Sequence, residues 1–375
     1  MDYAATTPVD PAVIATMTEA LQRYPGNPSS IHAEGREARA LIEQARKTVA
    51  GAIGASIGEV FFTSGGTEST NMALKNAVRD LNVQRIISSP LEHHCVLHCL
   101  DTLQRTEGTE VLYLEVDGKG QPDLEELDVL LKDDGKKTLV SLMHANNEIG
   151  TLLDLDAVAA LCREQGAFFH SDTVQTVSTY KLDVSRTPIS FLTGSAHKFF
   201  GPKGVGFIYV NGDNLIGPYI DGGAQERNMR AGTENLPGIL GMAKALELAM
   251  ARKDEREVYV RSLRDALWQR LRESFDDLQV YGDPERGHYK LLNVSFPPSP
   301  QADLLLMNLD IAGISVSGGS ACSSGADAGS HVLDALVGDP GRKAIRFSLS
   351  HLNTMDEVEQ VVNTLKEILP ASVEA

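Results

Sequence analysis

Two lysines fall within six residues in the stretch SAHKFFGPKGVGFIYV, residues 195–210, and either could serve as an amine reagent. Lys198 follows a strand-like run and a histidine, so it stands where a parallel sheet presents side chains to a cleft. Partial drying there lowers an amine's pKa and makes it a usable nucleophile. Lys203 sits between glycines and a proline, where a tight turn leaves little room for a chemical stroke, and reads as a surface or turn residue.

Three other segments carry matching chemistry. FTSGGTESTN, residues 62–71, is a strand, a Gly65-Gly66 turn and a helix start. The backbone N–H groups of such a turn and helix N-terminus favour a phosphate or carboxylate. The plainer alternative is a helix cap by Ser64 or Thr67. FFHSDTVQT, residues 168–176, places Asp172 at a strand end and Gln175 three positions later. The acid could hold a protonated ring nitrogen and the amide could donate to a phenolic oxygen, or Asp172 could simply cap the next helix. LEHHCVL, residues 91–97, offers His93 and His94, of which at most one can face the cleft, as a stacking platform and proton shuttle. Zinc is disfavoured there, because His98, Cys95 and Cys99 match no structural-site spacing. Together the pieces suit pyridoxal 5′-phosphate, with its phosphate in the Gly-Gly cradle, Asp172 on the pyridine nitrogen and Lys198 as the Schiff-base lysine.

Positioning these groups needs a sheet. Strand-like runs at VFFT, RIISS, VLYLEV, TLVSLM, AFFHSD, ISFLTG and GVGFIYV alternate with helical patterns such as GTESTNMALKNAVRD and LDAVAALCREQG. That rhythm predicts a largely parallel sheet covered on both faces, with ligands at the strands' carboxyl ends. Before it lie an extended arm, a helix that Pro11 could start and a long amphipathic helix over EGREARALIEQARKTVAGAIG. Beyond about residue 240 one long charged helix is expected through LPGILG to RESF, then strands at KLLNVSF and AIRFSLS and a final amphipathic helix. This predicts a smaller α+β domain.

The 375 residues are 42% hydrophobic and 23% charged, ordinary for a globular protein, and the net charge of −17 argues against nucleic-acid or membrane surfaces. The chain opens on no signal segment and holds no run of transmembrane length, so the cytoplasm is the expected location. Of the four cysteines, Cys162 reads as a buried helix residue, whereas Cys322 sits in the Gly/Ser-rich SVSGGSACSSGADAGS, where a thiol is reachable.

The chain resembles the class-V aminotransferase family of fold-type-I, pyridoxal-phosphate-dependent enzymes, and within it the NifS/IscS branch of cysteine desulfurases. The resemblance rests on DYAATTP, GNPSSIH, FTSGGTES, EHH, HANNEIG, HSDTVQ, SAHKFFGPKGVG, GGAQERNMRAGTEN, SGGSACSSG and IRFSLS, in family order over essentially the whole chain. It implies a large domain, residues 12–245, with a mainly parallel seven-stranded sheet. A small α+β domain would comprise residues 1–11 and 246–375.

The resemblance also assigns roles. Lys198 would bind the cofactor and Asp172 and Gln175 would hold its ring nitrogen and oxygen. His93 would stack on the ring and take part in acid-base steps. Gly66, Thr67, Ser195 and His197 would contact the phosphate, joined by Thr233 from the other subunit of a homodimer. Asn147 and Arg346 would hold the carboxylate of L-cysteine. Cys322 would accept the sulfur as a persulfide, leaving L-alanine, and deliver it to an acceptor protein for iron–sulfur assembly or tRNA thiolation. Neither a metal nor direct contact with nucleic acid or membrane is implied.

Ser171, Thr173 and Asn228 depart from the residues usual at those positions, the last replacing a glycine, and the segment after Cys322 lacks an acidic-proline pair. Another enzyme of the same fold, a selenocysteine lyase or an aminotransferase, is the first alternative; a transaminase needs no thiol at position 322. An inactive structural subunit is the second, although Lys198, Asp172 and Cys322 are all retained.

Overall fold

In the computed structural model, residues 1–132, 135–318, 329–336 and 341–369 are described. Seven strands build the main sheet: β1 (Val60–Thr63), β2 (Arg85–Ser88), β3 (Glu110–Tyr113), β4 (Thr138–Ser141), β5 (Phe168–Asp172), β6 (Phe191–Ser195) and β7 (Gly206–Val210). Each falls within or beside a strand-like run of the sequence. Their order is β1-β7-β6-β5-β4-β2-β3. Only β7 runs against its neighbours, pairing antiparallel with both β1 and β6. The other pairings are parallel.

Strand alternation sorts the apolar side chains between two faces. Phe62, Val140, Phe169, Leu192 and Phe207 enter one core with helices α1 (Pro11–Arg23), α2 (Ala33–Ile53) and others below. Phe61, Leu139, Phe191 and Ile208 enter a second core with α3 (Gly66–Leu81) and α4 (His94–Glu107). Burial on both faces is what a mainly parallel sheet requires. The helices α5 (Leu124–Lys132) and α6 (Leu155–Glu164) join the first core, and a short turn of helix, α7 (Gln225–Asn228), comes after the sheet. Cys162 lies on the inner face of α6, only 1% exposed, where burial pushes its thiol up to about 12.

The single long helix expected after residue 235 is two. Helix α8 (Leu236–Ala251) and α9 (Lys253–Ser274) are separated at Arg252, whose φ of −118° and ψ of 14° leave the helical region. The break has a packing cause. Ile239, Met242 and Leu246 of α8 belong to the first core, whereas Val260, Leu263, Leu267 and Leu271 of α9 line the core of a second sheet. One straight helix could not serve both.

That second sheet has β8 (Gln279–Tyr281), β9 (Leu291–Phe296) and β10 (Lys343–Ser348) in the antiparallel order β10-β9-β8. β8 was not legible in the sequence; three residues are too few to show alternation. The short α10 (Pro300–Asp303), α11 (Leu305–Ile311), α12 (His331–Ala335) and the C-terminal α13 (Met355–Ile368) complete the described helices. Among the described residues no helix is long and apolar enough to cross a membrane.

The N-terminal arm ties this sheet to the main one. Asp2 bridges to Ser348 at the end of β10, and the Ser348 N–H donates to the Met1 carbonyl at 2.9 Å. Further along, Thr7 donates its N–H to the His197 carbonyl at 2.9 Å, beside Lys198.

Candidate active site

Because β1, β5 and β6 point the same way, their carboxyl ends meet at one edge, and a cavity of about 290 Å³ opens there. Its wall includes Gly66, Thr67, His93, Asn147, Asp172, Gln175, Ser195, His197, Lys198 and Arg346. Ten candidates scattered over 281 positions of sequence are thus brought to one space. Thr233 is not among them; it is exposed on the segment before α8. Cys322 lies outside the described residues.

Lys198 ends a short 3-10 turn after β6, and its Nζ donates to the carbonyls of Ala4 at 2.6 Å and Ala5 at 2.8 Å. Gln175 Nε2 donates to the same Ala4 carbonyl at 3.1 Å. The arm therefore supplies acceptors at the heart of the cavity, a part sequence reasoning missed although DYAATTP stood out as a motif. Lys203 is exposed in its turn.

Asp172 closes β5. One of its oxygens accepts the Val174 N–H at 2.9 Å, and the chain continues in a run of turns rather than a helix. Burial raises its pKa to about 6, against the opposing pull of that N–H and of the Lys198 charge. A buried carboxyl held this way is ready to accept a strong N–H donor.

Neither Ser64 nor Thr67 caps α3. Its N-cap is Gly65 with no side-chain bond, so the leading N–H groups of the helix have no partner within it. Gly65 takes φ 154°, and a Cβ on Gly66 would stand 2.8 Å from Val174 Cγ2. The turn is thus shaped for close approach of backbone to whatever fills the cavity. Ser195, buried at the end of β6, and His197, whose Nδ1 lies 3.1 Å from Thr6 Oγ1, complete this side. Burial, and then the charges of Lys198 and Lys203, lower the His197 pKa to about 4.

The two adjacent histidines diverge. His93 is the N-cap of α4, and its Nδ1 accepts the Cys95 N–H at 3.1 Å, which puts the neutral ring's proton on Nε2. Burial first, then the Lys198 charge, lowers its pKa to about 4. His94 turns away, its ring centroid 5.2 Å from His98 and 4.4 Å from His331. Cys95 also lines the cavity, and burial pushes its thiol up. Among the described residues no three His, Cys, Asp or Glu side chains are grouped to hold a metal ion.

Arg346, on β10, reaches the cavity from the second sheet. Its guanidinium donates to the Asn147 carbonyl at 2.8 Å, to Asp2 at 2.8 Å and to Ser317 Oγ at 3.1 Å, while its buried Nε has no hydrogen-bond partner. Ser317 and Ser330 flank residues 319–328; Ser330 Oγ bonds the Glu148 carboxylate, and the neighbouring His331 Nε2 lies 2.9 Å from the Glu92 carbonyl.

The departures have structural settings. Thr173 Oγ1 donates to the Thr193 carbonyl at 2.8 Å, and Ser171 is fully buried with its hydroxyl unpartnered. Asn228 has φ 67°, the left-handed conformation that glycine favours and asparagine tolerates.

The donor set fits pyridoxal 5′-phosphate: uncapped N–H groups and small hydroxyls at one end, a buried acid at the other, an amine and a histidine between. The model of the family described as aminotransferase class-V matches residues 1–361. The chain is 41% identical over 373 residues to "Cysteine desulfurase IscS" of Dictyoglomus turgidum, covering 98% of this chain and 94% of that one. It is likewise 41% identical over 375 residues to "Cysteine desulfurase IscS" of Methanosarcina thermophila, covering 98% and 91%. A solved structure described as a NifS-like protein superposes with a TM-score of 0.90 at 37% identity over 98% of both chains. With a match of this length, and a cavity wall drawn from both sheets, the chain belongs to the aminotransferase class-V family.

Proposed function

We propose that the chain is a cysteine desulfurase: it converts L-cysteine to L-alanine with pyridoxal 5′-phosphate and retains the sulfur as a persulfide on Cys322. The observation that carries this reading is the convergence of the Lys198 amine, the buried Asp172 carboxyl and the Arg346 guanidinium on one cavity. The names of the relatives point the same way.

When bound, the cofactor supplies an electron sink for the bonding electrons of the substrate's Cα–H bond. The leading N–H groups of α3, with Thr67, Ser195 and His197, hold its phosphate. Asp172 holds the ring nitrogen's proton and Gln175 the ring oxygen. Lys198 carries the substrate's α-proton. Arg346 and Asn147, both in the cavity wall, orient the substrate carboxylate, a task the planar guanidinium fork suits. His93, neutral and protonated on Nε2, manages protons at sulfur. The Cys322 thiolate attacks the substrate sulfur; the C–S bond breaks, an S–S bond forms, and the carbon left behind gains a proton to give alanine.

The same reading extends to a cytoplasmic homodimer in which Thr233, exposed and away from its own cavity, completes the partner's phosphate site. It divides the chain into a large domain, residues 12–245, and a small one of residues 1–11 and 246–375. The sulfur then passes to an acceptor protein, an iron–sulfur scaffold or a tRNA-thiolation enzyme.

The test is direct. The protein loaded with cofactor should release alanine from L-cysteine, and Cys322→Ala should keep the colour of the bound cofactor while losing persulfide formation. Normal desulfuration by that variant would refute the Cys322 assignment.

A further inference from the structure

A second cavity, of about 30 Å³, shares no lining residue with the first yet lies directly beside the lysine turn. Phe199 and Phe200, the two residues after Lys198, form one wall. The opposite walls bring Lys253 and Arg256 from α9, Lys290 from the entry to β9 and His351 from the exit of β10. Four basic side chains from three elements thus face one small space, and among the described residues no carboxylate lines it. In a chain of net charge −17 such a concentration is not a sampling of the average surface.

The counter-charges nearby fall short. Lys253 is paired outward with Asp254 at 2.5 Å. Arg256 stands over the Phe200 ring at 5.8 Å, and its buried Nε has no hydrogen-bond partner. The His351 ring meets the same phenylalanine edge-on at 4.7 Å. Asp10 and Glu255 act on Arg256, and Asp10 on His351, but neither lines the cavity. No carboxylate is among the groups acting on Lys290: burial, then the charges of Arg256 and Lys198, lower its ammonium to about 8. Burial and the charges of Arg256 and Lys290 hold His351 to about 4. Like charges crowded in partial burial are unfavourable unless something negative joins them.

We propose that this cavity binds one small inorganic anion, a halide or the leading oxygens of phosphate or sulfate, held by Arg256, Lys290 and His351. The volume suffices for a water-sized or monatomic guest or the leading oxygens of an oxyanion and excludes a nucleotide or larger polyanion. The bound anion ties α9 and β9 of the second sheet to Phe200, whose backbone φ of 66° is left-handed and unfavourable for a phenylalanine. It therefore braces the turn that carries Lys198.

The cofactor-loaded protein should be melted at constant ionic strength while gluconate is replaced by chloride, phosphate or sulfate. A small anion should raise the unfolding midpoint by about 2 °C and saturate in the millimolar range. Arg256→Gln and Lys290→Met should each abolish the rise, yet melt no lower than the parent in gluconate, because each removes a like charge. Crystals soaked in bromide should show an anomalous peak between Arg256 and Lys290. A rise with chloride alone names a halide site, and a rise with phosphate or sulfate names an oxyanion site. No rise over gluconate, an undiminished rise in both variants, or bromide found elsewhere but not here overturns the proposal. None of these outcomes depends on desulfuration, so the reading of the main cavity stands or falls separately.

Discussion

The guanidinium of Arg346 and the carboxylate of Asp2 lie 2.8 Å apart although 344 positions separate them in the chain, with the arginine side chain 2% exposed and the aspartate 25%. Ser317 Oγ donates to the same Asp2 oxygen at 2.9 Å and accepts from Arg346 at 3.1 Å. The arm thus clamps one edge of the fork, while the buried Nε has no hydrogen-bond partner. Asp2 is a positioning residue on this geometry. Asp2→Asn should raise KM for L-cysteine about tenfold, the loss of one charge-assisted contact, with kcat little changed. Steady-state kinetics decide it: an unchanged KM would show that Arg346 needs no clamp.

Lys198 and Lys203 should separate cleanly. Borohydride reduction of the loaded protein should fix the cofactor on Lys198, as peptide mapping would show. Lys198→Ala should cost about 10³-fold in turnover, within the range for loss of a positioned acid-base group, whereas Lys203→Ala should be neutral. Cofactor trapped on residue 203 would reverse the assignment.

The Asp172 carboxyl titrates near 6 in the cofactor-free fold, above its ordinary value of 3.8, because burial favours the neutral form. Its contribution to stability is full below pH 4 and is lost as pH rises through 6. Cofactor-free Asp172→Asn should therefore melt higher than the parent at pH 7–8, with the gap closing toward pH 4. The same variant should bind cofactor more weakly. A melting gap independent of pH would contradict the burial argument.

Glu226 and Arg46 form a buried two-point pair at 2.6 and 3.0 Å, and Glu226 also accepts the Phe62 N–H at 2.8 Å. Glu226→Gln leaves the buried guanidinium only the half-exposed Glu43 carboxylate, 3.1 Å from its Nε, and should destabilise the fold by about 3 kcal/mol. Urea unfolding at pH 7 measures it. Since Glu226 bonds the Phe62 N–H of β1 and precedes Thr233, the variant should also lower the dimer fraction in sedimentation if the proposed homodimer forms through Thr233.

Much of this molecule is local and could be read from local pattern. The seven main strands, α3 after its Gly-Gly turn and the inner face of α6 follow from alternation, helical period and turn residues over windows of ten to twenty positions. Lys198, Asp172, Gln175, His93 and the Gly65-Gly66 turn were candidates because strand-to-helix junctions of one parallel sheet collect at one edge, whereas Asn147 and Arg346, the latter from the second sheet, were assigned only through the family resemblance. Periodicity could not say which of His93 and His94 faces inward; the cap that Cys95 N–H makes to His93 decides that. Nor could it place the break at Arg252, set by two cores competing for one helical stretch. The carbonyls of Ala4 and Ala5 on Lys198, the clamp of Asp2 on Arg346 and the four basic groups beside Phe200 join residues far apart in sequence. Such contacts leave no trace in local composition, because a hydrogen bond or a crowded charge depends on distance in space, and only the folded chain sets that distance.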